Sequence, residues 1–250
     1  MKFPVDSYDI KARYAPGLLL ALPLLITFWT CFQSEVKAIS PLFGGLLSGA
    51  IFYALSVLVR ALGKRIEPML WESWGGAPSS VLVSWSDNRL GDDLKAKYHE
   101  IVQQFLGLPM PSKEEEEADP KRAAKLIEQA FARIKGLIRK EDKAGLWSVA
   151  NAEYGFARNL YGSRVLWLVL SLSMIAVSAG FLWKKYSSLV LIGFISDFLI
   201  LIACVVFGWF ILPKYTQQVG FRYAEHAWES FLNIIETPTR QKEDTRHAEP

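Results

Sequence analysis

The chain has 250 residues, of which 51% are hydrophobic and 21% charged, with a formal net charge of +3. Charge is missing from four stretches of roughly 16 to 24 residues and gathers between the second and third, which argues against a soluble two-domain enzyme and against a disordered chain. Cys31 and Cys204 both sit in apolar runs and the net charge is small, so a disulfide framework, a Cys-rich zinc site and nucleic-acid binding by bulk charge are excluded.

The first apolar run extends from about Ala15 to Phe32 (APGLLLALPLLITFWTCF). Asp6 and Asp9 precede it and no small-x-small cleavage site follows, so it reads as a membrane helix rather than a signal peptide. Its shortness leaves a buried or re-entrant helix as the alternative. Pro23 lies inside it, which membrane helices tolerate, with a kink expected there. The second run, about Ile39 to Val59, follows so closely that the pair reads as a helical hairpin. The third and fourth, about Val165 to Phe181 or Trp183 and Leu189 to Leu212, form another. At about 1.5 Å per residue each approaches or matches the ~30 Å hydrocarbon layer.

Lys2, Lys11, Arg13, Arg60, Lys64, Arg65, Arg158, Arg164, Lys214 and Arg222 flank the spans on one side, against Lys37, Lys184 and Lys185 on the other. This bias places both termini and the stretch between spans two and three in the cytoplasm. The expected organisation is residues 1–59 as N-terminal segment and first hairpin, 60–164 as cytoplasmic insert, 165–212 as second hairpin, and 213–250 as amphipathic helix and disordered tail.

The insert carries 17 basic and 15 acidic residues, a balanced charge. Gly63, Pro68, Gly75, Gly76 and Pro78 predict a turn-rich opening that cannot be one long helix. Ser80 to Trp85 (SVLVSW) alternates and is Val-rich, which predicts a short strand. Leu94, Tyr98, Ile101, Val102 and Phe105 recur at helical spacing over Asp92 to Leu106. Glu114 to Glu117, followed by Asp119-Pro120, reads as an exposed acidic loop, with a helix start as the alternative. A helix is predicted over Ala123 to Arg139, burying Leu126, Ile127, Ala130, Ile134, Leu137 and Ile138, and another over Leu146 to Tyr161 leading into the third span. Beyond the fourth span, Phe221, Ala224, Trp228, Phe231, Leu232 and Ile235 form an apolar stripe that ends at Pro238. Its docking site is the insert, the membrane surface or the same helix of another subunit, and the first is expected. The fold class is therefore mainly α: a four-span helical membrane protein with a mostly helical cytoplasmic insert between spans two and three.

Asp197 is the acidic residue well inside a span, roughly 12 Å deep by helical rise. A carboxylate there costs several kcal/mol unless paired, hydrated or protonated, so it is a functional candidate by default. Gly193, Asp197, Cys204 and Gly208 share one face with Ile200 and Leu201, smaller and more polar than the rest, expected to turn towards other helices or an aqueous path. In a symmetric oligomer, a ring of Asp197 carboxylates would attract cations. The structural alternative is an Asp197 that only fixes packing, bonded to Ser171, Ser173 or Tyr53, or meeting Lys184 or Lys185. Gly45 and Gly49 form a small-xxx-small pair suited to close helix packing, between subunits or within one.

Below the membrane, Arg60, Lys64, Arg65, Trp71, Trp74 and Arg89 offer cations for phosphates and aromatic faces for bases. They are candidates for a nucleotide or short oligonucleotide, although neither a P-loop nor a dinucleotide fingerprint is present. The alternative assigns the basic residues to membrane orientation and the Trp side chains to the interface and core. No catalytic motif, metal-ligand spacing or cofactor motif is found, so an enzyme is not expected.

The segments KARYAPGLLLALPLL (Lys11 to Leu25) and GKRIEPMLWESWGGAP (Gly63 to Pro78) resemble small bacterial membrane proteins found beside antiviral defence enzymes. The layout is similar to that of the Hailong-type membrane effector. The resemblance covers about 30 residues plus topology and carries over no site residue. It implies a tetrameric, homo-oligomeric cation channel whose cytoplasmic part binds an oligonucleotide made by a partner nucleotidyltransferase. The expected function is thus a ligand-gated cation channel in the lipid bilayer. The alternative is a non-conducting anchor that recruits a cytoplasmic partner.

Overall fold

The computed structural model describes the backbone of residues 7–32, 41–141, 145–184 and 186–247, and their side chains except at 7, 41–43 and 237–247. It is almost entirely helical, with no strand among the described residues. The main helices are α1 (Ala15–Cys31), α2 (Pro41–Ser73), α3 (Pro78–Val81), α4 (Asp92–Leu106), α5 (Lys113–Ala118), α6 (Pro120–Glu141), α7 (Leu146–Gly162), α8 (Arg164–Lys184), α9 (Ser188–Val205) and α10 (Leu212–His247). Four helical stretches are long and apolar enough to cross a membrane: Ile10–Cys31, Gly44–Val81, Arg164–Lys184 and Ser188–Glu236. Lys2, Asp6, Lys37 and Lys185 lie outside the described residues.

Two prolines set the local geometry at the ends of the bundle. Proline has no N–H, so the carbonyl four residues earlier loses its usual donor and the ring crowds it. The helix widens in response just before Pro16 and Pro213, into the π-helical turns Ile10–Tyr14 and Val206–Ile211. There the Ala15 N–H bonds to the Ile10 carbonyl and the Leu212 N–H to the Phe207 carbonyl.

The chain divides into two compact units, one of residues 1–68 and 152–216, the other of 69–151 and 217–250. The stretches 60–68 and 152–164, read from the sequence as insert, lie within the first unit. In that unit α1, α8 and α9 pack mutually, with Leu20, Val59, Leu160, Trp167, Cys204 and Leu212 as a buried cluster. The expected break after Arg60 is not there: α2 runs through Gly63 and Pro68 to Ser73. Gly63 serves packing rather than a turn. A Cβ on it would stand 2.7 Å from Asn159 Cα, and one on Gly162 would stand 2.7 Å from the Leu62 carbonyl. Only glycine lets α2 and α7 approach this closely. The helix stops where Gly75 and Gly76 take φ of 86° and 139°, and the Gly76 N–H closes back on the Trp71 carbonyl at 2.7 Å.

The second unit has its core between α4, α6 and residues 221–235 of α10. Tyr98, Val102, Ile127, Ala130, Ile134, Ala224, Trp228 and Phe231 are all buried in it. The apolar stripe of the last helix therefore docks on the insert. Trp228 is fully enclosed, with the rings of Tyr98 and Phe131 at 5.3 and 5.8 Å and its Nε1–H donating to the Ser79 carbonyl at 3.0 Å.

Three local expectations are corrected. Ser80 to Trp85 is not a strand. Pro78 opens the short α3, so the N–H groups of Ser80, Val81 and Leu82 bond back to the carbonyls of Ala77 and Pro78 in a helical turn. Glu114 to Glu117 is helical rather than a loop, because Ser112 and Glu115 form a capping box that starts α5. The last helix does not end at Pro238: its backbone continues as far as His247.

Candidate functional site

In α9 and the π-helical turn that continues it, residues 193, 197, 204 and 208 fall on one face by helical spacing, and Gly193, Asp197, Cys204 and Gly208 are all buried on it. Ile200 and Leu201, which share the face, are half-buried. Gly193 is the contact that brings α9 onto α1: a Cβ there would lie 2.9 Å from Thr30 Cβ. One turn further, Asp197 has no exposed surface. Its Oδ2 accepts from the Thr27 hydroxyl at 2.6 Å and from the Ser178 hydroxyl at 3.3 Å, and those two hydroxyls are 3.4 Å apart. Its Oδ1 is buried with no hydrogen-bond partner among the described residues.

The site extends along the bundle as a seam of small and polar groups. Towards one end, Thr30 donates to the Ile26 carbonyl at 2.9 Å, and Cys31 Sγ is 3.9 Å from the Ser178 hydroxyl. Two turns along α8 from Ser178 lies Ser171, fully buried, its hydroxyl without a partner among the described residues. Further on, Cys204 Sγ donates to the Arg164 carbonyl at 3.7 Å, and a Cβ on Gly208 would lie 3.2 Å from Arg164 Cβ. The groups expected to hold Asp197 are elsewhere: Ser173 donates to the Val169 carbonyl, and Tyr53 is 63% exposed. Thr27 and Ser178 take the place expected of them.

Among the described residues nothing packs on Gly45 or Gly49, since a Cβ on either would meet none of their atoms within 4 Å. The ligand candidates divide between the two units. Arg60, Lys64 and Arg65 belong to the first unit and Trp71, Trp74 and Arg89 to the second. Lys64 is paired with Glu67 at 2.7 Å. Trp74 packs 6.3 Å from the Phe221 ring, over which Arg89 also stacks at 3.9 Å while bonding Asp87.

Two buried polar clusters escaped the sequence reading. In the first unit, Arg158 donates to Glu67 Oε1 at 2.6 Å, Lys64 to Oε2 at 2.7 Å, and Tyr154 to Oε1 at 3.3 Å. Arg158 also donates to the Asn159 side-chain oxygen at 3.0 and 3.2 Å. Asn159 Nδ2 in turn donates to the Ala12 carbonyl at 2.7 Å, the oxygen that Pro16 leaves without its helical donor. An acid amid the basic run GKRIEP was the available signal for Glu67.

In the second unit, Glu116 is buried and holds the 84–86 loop. It accepts from the Ser84 hydroxyl and, at 3.1 Å each, from the Trp85 and Ser86 N–H groups. Burial alone would raise its pKa, but these bonds to the anion outweigh it and hold it below the usual carboxylate range. His99 sits between the carbonyls of Val83, 2.9 Å from Nε2, and Pro111, 3.2 Å from Nδ1. Burial pushes its pKa down against the pull of both carbonyls and of Glu116. Lys95 is fully buried and donates to the Asp87 carbonyl. These charges clamp the 83–89 segment.

Comparison with known proteins finds no family model, no curated protein and no solved structure that matches the chain.

Proposed function

We propose that the chain is a multi-pass membrane protein that conducts cations, with Asp197 as the residue that handles them. One observation carries this reading. A carboxylate with no exposed surface lies among helices long and apolar enough to cross a membrane, and only one of its oxygens is bonded. A residue kept for packing alone would be expected to have both oxygens satisfied, because an orphaned buried acceptor costs about 1–3 kcal/mol, and more when charged. A cation beside Oδ1 removes that cost, and the hydroxyls of Thr27, Ser178 and Ser171 line the same seam. The path proposed here thus runs within each chain, rather than through a ring of Asp197 side chains.

The cytoplasmic placement of the termini is carried by the Lys and Arg bias, and the bacterial inner-membrane location by the resemblance described above. Assembly as a homo-oligomer, nucleotide gating and a role in antiviral defence are carried by the resemblance described above. The second unit, built from the insert and the last helix, is the part through which gating would act.

The enclosure of Asp197 within one chain favours the second reading, a non-conducting anchor. Flux of monovalent cations and protons into liposomes holding the full chain, wild type beside Asp197→Asn, separates the two. Conduction predicts wild-type flux that falls to background in the variant. Undiminished flux in Asp197→Asn would remove Asp197 from the path. No flux from intact wild type, with and without nucleotides and short oligonucleotides, would leave the anchor.

A further inference from the structure

From the geometry at Asp197 we infer that the cation this site takes is a proton, bound at Oδ1, and not a metal ion. The inference deepens the cation reading above and rests on it. A hard metal cation that sheds its water needs many oxygen ligands, six or more for calcium and a near-octahedral set for magnesium, or a ring of carbonyls for potassium. Asp197 offers nothing of the kind. Thr27 and Ser178, the two hydroxyls in reach, both bond to Oδ2, and they are 3.4 Å from each other. The Thr30 hydroxyl donates to the Ile26 carbonyl instead. Among the described residues no hydroxyl is bonded to Oδ1, and no group of three His, Cys, Asp or Glu side chains that could hold a metal ion occurs.

A proton needs only that one oxygen. As Oδ1 takes it, the Oδ1–H bond forms and a hydronium becomes water; on release, water takes the proton back. The charge of the carboxyl disappears while the carbonyl oxygen, Oδ2, keeps both hydroxyl donors. The packing supports this. α1 faces the carboxyl with Thr27 and, one turn on, Thr30 and Cys31; α8 faces it with Ser178; α9 itself adds Gly193 one turn away. Among the described residues no Lys, Arg or His side chain is bonded to Asp197, so no fixed positive charge competes with the proton.

Infrared difference spectroscopy of the reconstituted full chain tests the site without requiring transport. The expected result is a carboxylic-acid C=O band that changes with pH, shifts in heavy water, is lost in Asp197→Asn, and is unmoved by sodium or potassium at constant pH. Thr27→Val, which keeps the shape but removes a donor to Oδ2, should move the band to higher frequency; that variant keeps the test open if Asp197→Asn does not fold. Absence of the band at any pH, its suppression by sodium or potassium, or an unchanged frequency in Thr27→Val would overturn the inference. Failure of the two readings is distinguishable. A titrating Asp197 band with no flux leaves the proton site and removes conduction, whereas Asp197-dependent potassium flux with no such band leaves conduction and removes the proton site.

Discussion

Replacing Trp228 by Ala tests whether the last helix completes the core of the second unit. The side chain is fully buried between Tyr98, Phe131 and Phe231, and its indole N–H satisfies the Ser79 carbonyl. Truncating a buried Trp costs about 3–5 kcal/mol in lost transfer energy and cavity, and the orphaned carbonyl adds to the upper part of that range. We expect a loss of about 4 kcal/mol. Trp228→Phe keeps most of the apolar contact and drops the hydrogen bond, so about 1–2 kcal/mol is expected. The assay is amide hydrogen exchange of the full chain in detergent, followed in α4, α6 and α10. At about 1.4 kcal/mol per tenfold, the Ala variant should exchange about a thousandfold faster in all three helices together. A loss below about 1 kcal/mol, or faster exchange confined to α10, would refute the reasoning, because it would mean that the helix merely rests on a core that stands without it.

Four further outcomes follow from the buried polar groups and the glycine contacts. Arg158→Met leaves Glu67, whose side chain is only 9% exposed, with Lys64 and the Tyr154 hydroxyl; the first unit should lose about 3 kcal/mol in thermal unfolding, moderated if Lys64 draws closer. The second unit should weaken on acidification in two windows. His99, held neutral by burial, withdraws stability as pH falls below about 6.5, where the unfolded chain binds the proton first. Glu116 does so at lower pH, below about 4.5, because its anion is favoured by the fold; Glu116→Gln should flatten the lower window only, as read by denaturant titration at each pH. Gly63→Ala should cost about 1–3 kcal/mol through overpacking against Asn159. Gly45→Ala, with open space around it, should leave the stability of the chain unchanged or slightly raised, and a drop in oligomer mass alone would place that face between copies.

Hydropathy and period were sufficient for the four apolar helices, for α4 and α6, and for the stripe Phe221 to Ile235, because each is a property of one contiguous segment. The errors arose where a distant partner decides the local outcome. Gly63 reads as a breaker until Asn159 and Gly162 are set against it. Glu116 reads as one of four solvated acids, and only the folding of Ser84 to Ser86 around its carboxylate makes it buried. SVLVSW has the alternation of a strand, but the Pro78 turn takes up its first N–H groups. Asp197 could be singled out from its depth in an apolar run. Its partners could not, since Ser171, Ser173 and Ser178 are equivalent candidates until the rotation of α8 is known, and Thr27 lies on a helix whose pairing the sequence does not state.

The core of the second unit has a consequence for biosynthesis. Residues 69–151 leave the ribosome carrying Tyr98, Val102, Ile127, Ile134 and Phe131, whose cover includes Ala224, Trp228 and Phe231. Between those two events about 80 residues are made, among them two of the helices apolar enough to enter a membrane. At about 5–20 residues per second, that interval lasts roughly 4 to 16 s. Throughout it the nascent domain presents a sticky, half-covered core, and the final helix closes it only after both apolar helices have been translated. Completion of the second unit thereby waits until both apolar helices and then Trp228 have been translated, so a chain stalled before Trp228 would expose a surface that chaperones and proteases recognise.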